Sequence, residues 1–257
     1  MSRLLPPRPA AKRSSSLGRM DQQAKADAFR RFHHEPPLLV LPNAWDVASA
    51  KRLAALPGCR ALATTSAAVA RSLGWEDGEQ APADEMLRAN ERIAAAVDVP
   101  VTGDLERGYG DPVGTARRAW AAGLVGINFE DSTRDGLVPL GEQVAAIRAI
   151  RDAVPGLVVN ARIDVFIRNA GSIDDAVERG DAYLAAGADC VYPIACPVEA
   201  VADLARRIAG PINVLVVPGM PEPYELQSLG VARMTWGSGL ASAAYAEAER
   251  LAAAALV

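Results

Sequence analysis

Two acidic residues, Asp104 and Glu106, follow an apolar run and directly precede a Gly-Tyr-Gly turn, within the segment Val101-Thr-Gly-Asp-Leu-Glu-Arg-Gly-Tyr-Gly110. On a strand, residues two apart share a face, so the two carboxylates are predicted to point the same way. Two like charges side by side are costly unless a positive charge lies between them. A hard divalent cation with oxygen ligands is the simplest such charge, so this segment predicts a metal site.

The scarcity of lysine and histidine narrows the chemistry that the rest of the chain can perform. All three lysines and both histidines lie within the first 51 residues. A site built from later residues has no Schiff-base lysine, no imidazole base and no histidine ligand. This argues against pyridoxal-phosphate chemistry, lysine aldolases and Ser-His-Asp hydrolysis. Carboxylates, arginines, hydroxyls, backbone groups and a bound metal remain.

Short apolar runs alternate with Ala- and Leu-rich helical stretches from Leu38 onward, and these elements must position the acids. The predicted strands are 38–42, 61–66, 99–106, 126–131, 157–164, 190–196, 212–218 and 233–237. The predicted helices are 46–56, 84–97, 112–122, 140–153, 172–186, 198–209, 222–229 and 239–255. Eight such repeats predict a (β/α)₈ TIM barrel. A doubly wound sheet is the alternative, disfavoured because no Gly-x-Gly-x-x-Gly follows the first strand.

The N-terminal region precedes the repeats. Residues 1–19 are rich in Pro, Ser and Arg and have no apolar period, so they are predicted to form a disordered tail. Residues 20–32 predict an extra amphipathic helix before the barrel. No Gly- and Ser-rich linker interrupts the remainder, so residues 20–257 are predicted to form one domain.

Polar residues end several predicted strands, and barrel active sites form at the C-terminal ends of strands. Four charges buried there would be hard to tolerate without a ligand or a metal. A functional role is therefore favoured for Asp104, Glu106, Glu130 and Arg162. The acids at 111, 131 and 164 can equally be helix caps or members of rim ion pairs.

Other candidates have two interpretations. Asp46 is either the N-cap of the first barrel helix or a site acid. Ser66 either caps a turn or, with Ala67, offers a hydroxyl and backbone N–H groups to a carboxylate. Arg162 suits a substrate carboxylate or phosphonate, because its guanidinium can bind either in a bidentate manner. Tyr192 is predicted to share a face of the sixth strand with Cys196, which is more often a packing residue. The adjacent His33 and His34 are predicted to be surface or packing residues.

Several segments together resemble the isocitrate lyase/phosphoenolpyruvate mutase superfamily over roughly residues 22–250. They are Asn43-Ala-Trp-Asp46, Thr65-Ser-Ala-Ala-Val69, Gly103-Asp-Leu-Glu-Arg-Gly-Tyr-Gly110, Gly126-Ile-Asn-Phe-Glu-Asp131, Asn160-Ala-Arg-Ile-Asp164, Ala186-Gly-Ala-Asp189 and Val217-Pro-Gly219. The resemblance implies a (β/α)₈ barrel that binds Mg²⁺ or Mn²⁺. It also implies cleavage or formation of C–C or P–C bonds next to a carboxylate, through an enolate.

The resemblance also implies residue roles. Asp104 would be the direct metal ligand, Glu106 and Glu130 would hold the metal's waters, and Asp46 would be a further acid. The cradle for the substrate carboxylate would be Ser66, Ala67 and Arg162, and Asn160 is included as a substrate-binding candidate. The catalytic candidates are Asp46, Glu130, Arg162 and Tyr192.

Two departures from the family pattern affect the predicted reaction. Glu106 stands where the family usually has the second Asp of an Asp-x-Asp pair. The loop at 130–140 contains no Cys, Lys or His, unlike the isocitrate lyase lid. The predicted function is Mg²⁺-dependent C–C bond cleavage in a small 2-oxo or 2-hydroxy acid, of the oxaloacetate decarboxylase or alkylmalate and methylisocitrate lyase type. The alternatives are a P–C bond hydrolase or mutase, and a non-catalytic metal- or ligand-binding barrel.

The composition of the chain limits the partners that it is predicted to bind. The net charge of −4 gives no support to nucleic-acid or anionic-membrane binding. No apolar run reaches the length of a membrane span, and three cysteines without a metal or secretory pattern predict a cytoplasmic protein. The family implies a homo-oligomer, a dimer or a tetramer, in which subunits can exchange the last helix, here residues 240–256.

Overall fold

The strands of the computed structural model, which describes residues 21–256, alternate with helices as predicted; the predicted tail at 1–19 lies outside the described residues. The strands are β1 Leu39–Leu41, β2 Asn43–Ala44, β3 Leu62–Thr64, β4 Val101–Asp104, β5 Gly126–Phe129, β6 Ser132–Thr133, β7 Gly136–Leu137, β8 Val158–Ile163, β9 Cys190–Pro193, β10 Asn213–Leu215 and β11 Arg233–Thr235. The helices are α1 Gln22–Arg31, α2 Val47–Ala54, α3 Ser66–Ser72, α4 Ala83–Ala95, α5 Pro112–Ala121, α6 Leu140–Ala153, α7 Ile173–Ala185, α8 Val201–Arg207, α9 Pro223–Ser228 and α10 Gly239–Ala255, and a 3₁₀ turn, Val198–Ala200, precedes α8.

The parallel strands close into a ring. The first predicted strand, 38–42, forms β1, which pairs with β11; a second short strand, β2, follows Pro42 and pairs with β3. The remaining order is β3-β4-β5-β8-β9 on one side and β11-β10 on the other. A parallel bridge between Val191 and Ile212 joins β9 to β10 and completes the circuit. The predicted (β/α)₈ barrel, with α1 as its extra helix, is confirmed.

Helix α1 covers the N-terminal end of the barrel. Phe29 is fully buried there in a cluster with Leu39, Val125 and Val158, which lie at the starts of strands. Gly126 leaves room for this ring, because a Cβ at that position would lie 3.1 Å from the Phe29 Cε1 atom. His33 packs edge-on against Phe29, with ring centroids 4.9 Å apart, so the prediction of a packing histidine holds for His33.

Several predicted boundaries are wrong in ways that matter for the site. Strand β4 ends at Asp104, and Glu106 has a left-handed backbone (φ 52°), so strand alternation does not relate the two acids. Strand β9 ends at Pro193, so Cys196 does not share a strand face with Tyr192. Three elements were not predicted: β2 after Pro42, α3 directly after β3, and the antiparallel β6–β7 hairpin after β5.

Among the described residues, no helix combines the length and apolar character that crossing a bilayer requires.

Candidate active site

Three polar side chains occupy one level inside the barrel. In the strand register, Asp104 is the partner of Asn128, and Asn128 is the partner of Asn160. One carboxylate oxygen of Asp104, Oδ2, accepts hydrogen bonds from the Ser66 amide at 2.9 Å and from the Ser66 hydroxyl at 3.0 Å. Its other oxygen, Oδ1, lies 3.4 Å from the Asn128 amide nitrogen. Asp104 is therefore held at the start of α3, at the centre of the strand ends.

Glu106 reaches the same region through a loop contact. Its Oε2 accepts a hydrogen bond from the Glu79 backbone N–H at 2.5 Å, and its Oε1 accepts one from the Tyr109 hydroxyl at 3.0 Å. The Glu79 carboxylate in turn accepts from the Tyr109 backbone N–H at 2.5 Å. Because both Glu79 and Glu106 adopt left-handed backbone conformations, the two loops meet with each glutamate binding the other segment.

Arg162 joins two acids on the opposite side of the site. Its guanidinium forms two parallel hydrogen bonds to Asp164, from Nε at 2.6 Å and from Nη2 at 2.9 Å. Its Nη1 forms an ion pair with Glu130. Asp164 is fully buried, and it also accepts a hydrogen bond from the Ser132 hydroxyl in the β6–β7 hairpin. The arginine predicted to bind substrate is thus oriented by one carboxylate and faces another.

The carboxylates of the site repel one another. Burial, followed by repulsion from Asp77 and Asp104, raises the pKa of Glu106 from 4.5 to about 7. Burial raises the pKa of Asp104, although Arg162 and Ser66 oppose the change. Burial also raises the pKa of Glu130 well above its usual value, against the effect of Arg162 and with further repulsion from Asp104. Arg162 does not by itself offset the repulsion among these carboxylates, so the site favours a cation.

The donor set fits a hard divalent ion that keeps part of its water shell. Asp104, Glu106 and Glu130 offer only oxygen atoms, which are the ligands that Mg²⁺ and Mn²⁺ prefer. Within residues 21–256, no three acidic, histidine or cysteine side chains are arranged to hold one ion directly. Mg²⁺ is usually bound by one or two carboxylates and several waters, so this arrangement fits one direct carboxylate with other acids at the waters. These metal-binding roles stay a prediction.

The other predicted residues take varied positions. Asp46 caps α2, accepting a hydrogen bond from the Ser49 amide at 2.6 Å, so its capping role is confirmed and its catalytic role stays a prediction. Ala67 lies in the first turn of α3, next to Ser66. Asn160 is fully buried and donates to Asn128 Oδ1 at 2.8 Å, so it lies inside the barrel at the level of Asn128.

Neither tyrosine near the acids is suited to be a base. Burial raises the pKa of Tyr192, whose hydroxyl lies 3.4 Å from the hydroxyl of Thr235. Burial and the Glu106 carboxylate raise the pKa of Tyr109. Both side chains therefore stay protonated near neutral pH and are not available as a phenolate base. A catalytic role for Tyr192 stays a prediction, as a donor.

A cavity of about 380 Å³ adjoins two of the site acids. Glu106 and Glu130 line it, together with residues 78–80, Arg107, the hairpin residues 132–135 and Arg168. Arg168 donates from Nε to the Ser132 hydroxyl at 3.1 Å and from Nη2 to the Thr133 carbonyl at 2.6 Å. Arg134 is exposed at the hairpin tip. The mouth of the site therefore presents the arginines Arg134 and Arg168 beside the acids Glu79 and Asp135, while its interior carries Glu106 and Glu130.

Sequence reasoning missed three contributors to this site. Glu79 lies in a polar loop whose letters give no sign that it would bind Glu106. Arg134 and Arg168 lie outside the strand ends and required the hairpin to be recognised. Asp164 did carry a signal: it follows Arg162 by two residues on a predicted strand, a spacing that places both side chains on one face.

Comparisons with known proteins agree with this architecture. A family model for phosphoenolpyruvate phosphomutase matches residues 29–256. An uncharacterised protein from Mycobacterium tuberculosis is 38% identical over 230 residues, which are 85% of this chain and 87% of that protein. The 2-methylisocitrate lyase of Bacillus subtilis is 30% identical over 213 residues, which are 78% of this chain and 69% of the lyase.

A solved structure extends the comparison to the fold. The crystal structure of a 2,3-dimethylmalate lyase, described as a PEP mutase/isocitrate lyase superfamily member, matches with a TM-score of 0.78 and 26% identity. The match covers 88% of this chain and 85% of that one. The chain therefore belongs to the phosphoenolpyruvate mutase family within the isocitrate lyase/phosphoenolpyruvate mutase superfamily, whose members named here are lyases and a mutase.

Proposed function

We propose that the protein is a Mg²⁺- or Mn²⁺-dependent lyase that cleaves a C–C bond next to a carboxylate in a small 2-oxo or 2-hydroxy di-acid. The observation that carries the proposal is the set of three mutually repelling carboxylates, Asp104, Glu106 and Glu130, which faces the single guanidinium of Arg162. Such a set favours a cation on one side and an anionic substrate group on the other.

The two ends of the substrate would meet different groups. Arg162 would bind the carboxylate next to the reacting carbon, replacing Glu130 as its partner while Asp164 holds the guanidinium in place. The distal acid group would lie toward Arg134 and Arg168, the arginines at the mouth of the cavity. A substrate with two anionic groups therefore suits the site better than a monocarboxylate.

The protein's own groups limit the reaction. A bound Mg²⁺ would supply Lewis acidity at the substrate's oxygen atoms. Decarboxylation of an oxaloacetate-like acid needs no lid base, because CO₂ leaves without proton transfer. Retro-aldol cleavage needs a base for the hydroxyl proton, and a carboxylate is the candidate because both tyrosines stay protonated. Glu106 and Glu130, which line the cavity, are the carboxylates that would accept this proton.

The decisive experiment measures pyruvate release by the purified protein with Mn²⁺ and with EDTA. The substrate panel is oxaloacetate, 2-methylisocitrate, alkylmalates and phosphonopyruvate. Turnover that requires the metal and is lost in Asp104→Asn supports the lyase. Asp111→Asn is the matched control, because Asp111 caps α5 through an amide contact at 2.8 Å that asparagine can also make. No turnover of any substrate, with no Mn²⁺ binding, would leave a non-catalytic barrel.

P–C bond chemistry is the second candidate. It is favoured by the phosphoenolpyruvate phosphomutase model that matches residues 29–256. Arg162 can bind a phosphonate in the same bidentate way as a carboxylate. Metal-dependent turnover of phosphonopyruvate alone, with no cleavage of the C–C substrates, would select this function over the lyase.

A further inference from the structure

Arg233 is a charged side chain in the interior of the barrel, at the start of β11. It is fully buried, and its guanidinium carbon lies 6.0 Å from the centre of the Phe29 ring. Its Nε and Nη1 atoms have no hydrogen-bond partner among the described residues. Burial lowers its pKa, which measures the cost of keeping the charge there. A charge held at this cost, with most of its donors unused, calls for an explanation beyond packing.

Among the residues that the structure describes, the Arg233 guanidinium makes one hydrogen bond, and it points toward the candidate active site. Its Nη2 donates to the side-chain oxygen of Asn128 at 3.3 Å. No ion pair joins Arg233 to an acid within the part of the chain that the structure describes, yet Cys190, Tyr192 and, to a smaller extent, Asp104 favour its charged form against the effect of burial. Asn128 stands between Arg233 and Asp104.

The chemistry of Asn128 fixes which way its amide faces. A guanidinium has only donors, so the Asn128 atom that faces Arg233 must be the oxygen, Oδ1. The same oxygen also accepts from Asn160 Nδ2 at 2.8 Å. The Asn128 NH₂ group is then left to face Asp104 Oδ1, at 3.4 Å. If the amide were reversed, its NH₂ group would face the donors of Arg233 and its oxygen would face a carboxylate.

We propose that Arg233 is a positioning residue. Because its guanidinium can only donate, it keeps the Asn128 oxygen facing it and so directs the Asn128 NH₂ group onto Asp104. The Asp104 carboxylate is thereby held in the position in which it binds the cation. This inference rests on the proposed metal site. It assigns a task to a residue that touches neither metal nor substrate. If the guanidinium had no positioning role, its removal would change the free energy of unfolding and would leave the metal affinity of the folded protein unchanged or raise it, because a nearby positive charge repels the cation.

The test compares Mn²⁺ affinity, by calorimetry, in the full-length wild type and in variants whose fold is checked by circular dichroism and thermal melting. Arg233→Met should weaken Mn²⁺ binding by about 10-fold or more, the range typical of outer-shell partners, and Arg233→Lys should restore part of the loss. Arg30→Met is the control: it removes an arginine whose Nε pairs with Asp189 at 2.8 Å, and it should leave Mn²⁺ affinity unchanged.

A double-mutant cycle tests whether Arg233 and Asn128 affect Mn²⁺ binding through one shared contact or independently. Asn128→Ala alone and Asn128→Ala with Arg233→Met should weaken Mn²⁺ binding equally, because the arginine acts through the amide. Losses that multiply would overturn the proposal, as would a folded Arg233→Met protein with Mn²⁺ affinity within twofold of the wild type. If Arg233→Met does not fold, the same cycle is built with Arg233→Lys and judged by the same criterion.

A second readout does not depend on metal binding. In metal-free crystals of Arg233→Met, the Asn128 side chain should shift or become less ordered and its contact with Asp104 should lengthen, because only Asn160 and Asp104 then hold it; in Arg30→Met it should stay in place. An unchanged Asn128 amide in the Arg233 variant would overturn the proposal. A wild-type protein that binds no Mn²⁺ would refute the proposed metal-dependent function, and the crystals would still decide whether Arg233 orients Asn128.

Discussion

At the scale of single residues, the candidate site is a set of acids that the fold keeps in an unfavourable environment. Glu106 is 3% exposed, and its carboxylate accepts hydrogen bonds from the Glu79 backbone amide and the Tyr109 hydroxyl. Asp104 is held through the Ser66 amide and hydroxyl. These contacts fix the acids in place without neutralising them, and that is the state in which a cation gains most by binding.

The raised pKa of Glu106 predicts how stability changes with pH in metal-free protein. In the folded state Glu106 keeps its proton up to about pH 7, whereas in the unfolded chain, where its pKa is 4.5, it loses the proton at lower pH. The folded state therefore binds more protons in this window, and the free energy of unfolding falls as pH rises from 4.5 to about 7. In EDTA, Glu106→Gln should show a smaller fall in melting temperature than the wild type.

The control for this comparison is the exposed Glu249→Gln on α10, which should follow the wild type at every pH. Added Mn²⁺ should raise the melting temperature of the wild type more at pH 7 than at pH 5, because the cation competes with protons for the acids. A Glu106→Gln curve parallel to that of the wild type would contradict the burial of this carboxylate.

Asp104 provides the second prediction at this scale. Asp104→Asn preserves the shape of the side chain but removes the charge, so Mn²⁺ affinity should fall by at least about 100-fold while the protein remains folded. Calorimetry measures the affinity and circular dichroism the fold. An unchanged affinity would show that another residue is the main ligand.

The identities of the acids in the site were predicted from the sequence, but their spatial arrangement was predicted only in part. Asp104, Glu130 and Arg162 lie together because the carboxyl ends of parallel strands meet at one end of a barrel. Glu106 lies near them for a different reason, since its left-handed backbone ends the alternation on which the prediction relied. Glu79 was not predictable, because its contact depends on the path of a loop between two helices.

At the scale of elements, the β6–β7 hairpin is the feature that distinguishes the mouth of the site. It follows β5 directly, contributes residues 132–135 to the cavity wall, and is tied to the barrel through Ser132, Asp164 and Arg168. The loop was predicted only as a lid without Cys, Lys or His. Strands of two residues with mixed polarity leave no periodic signal, so the hairpin could not be found from its sequence.

The hairpin tip predicts a change in substrate preference. Arg134→Ala should raise the KM for a dianionic substrate several-fold, with little change for a monoanionic analogue and no change in melting temperature, because the side chain is exposed. Steady-state kinetics on both substrates measures the ratio. The control is Arg88→Ala, an exposed arginine on α4. Equal effects on both substrates would show that Arg134 does not contact the distal group.

At the scale of the whole molecule, α1 closes the barrel end opposite to the site. Phe29 is fully buried there, so Phe29→Ala should lower the free energy of unfolding by about 3–5 kcal/mol. The exposed Tyr224→Ala is the control and should change it by less than about 0.5 kcal/mol. Denaturant titration measures both. A small effect of Phe29→Ala would mean that α1 is not an integral part of the barrel.

The homo-oligomer that the family resemblance implies stays a prediction, and the last helix is the segment that subunits would exchange. In α10, Ala241 is buried, whereas Leu251 is 58% exposed. We expect light scattering to give two or four times the 27.0 kDa mass of one chain. Light scattering at 27.0 kDa would contradict the predicted homo-oligomer.

The ion pair between Glu130 and Arg162 makes substrate binding an exchange of one acid for another. A substrate carboxylate that takes Arg162 releases Glu130, whose pKa is already raised by burial and which then loses its favourable neighbour. In the absence of metal, the released carboxylate should take up a proton from the buffer. The observed binding enthalpy of a substrate analogue should then depend on the ionisation enthalpy of the buffer, and this dependence should disappear in Glu130→Gln. Substrate binding would thus change the number of protons bound to the protein.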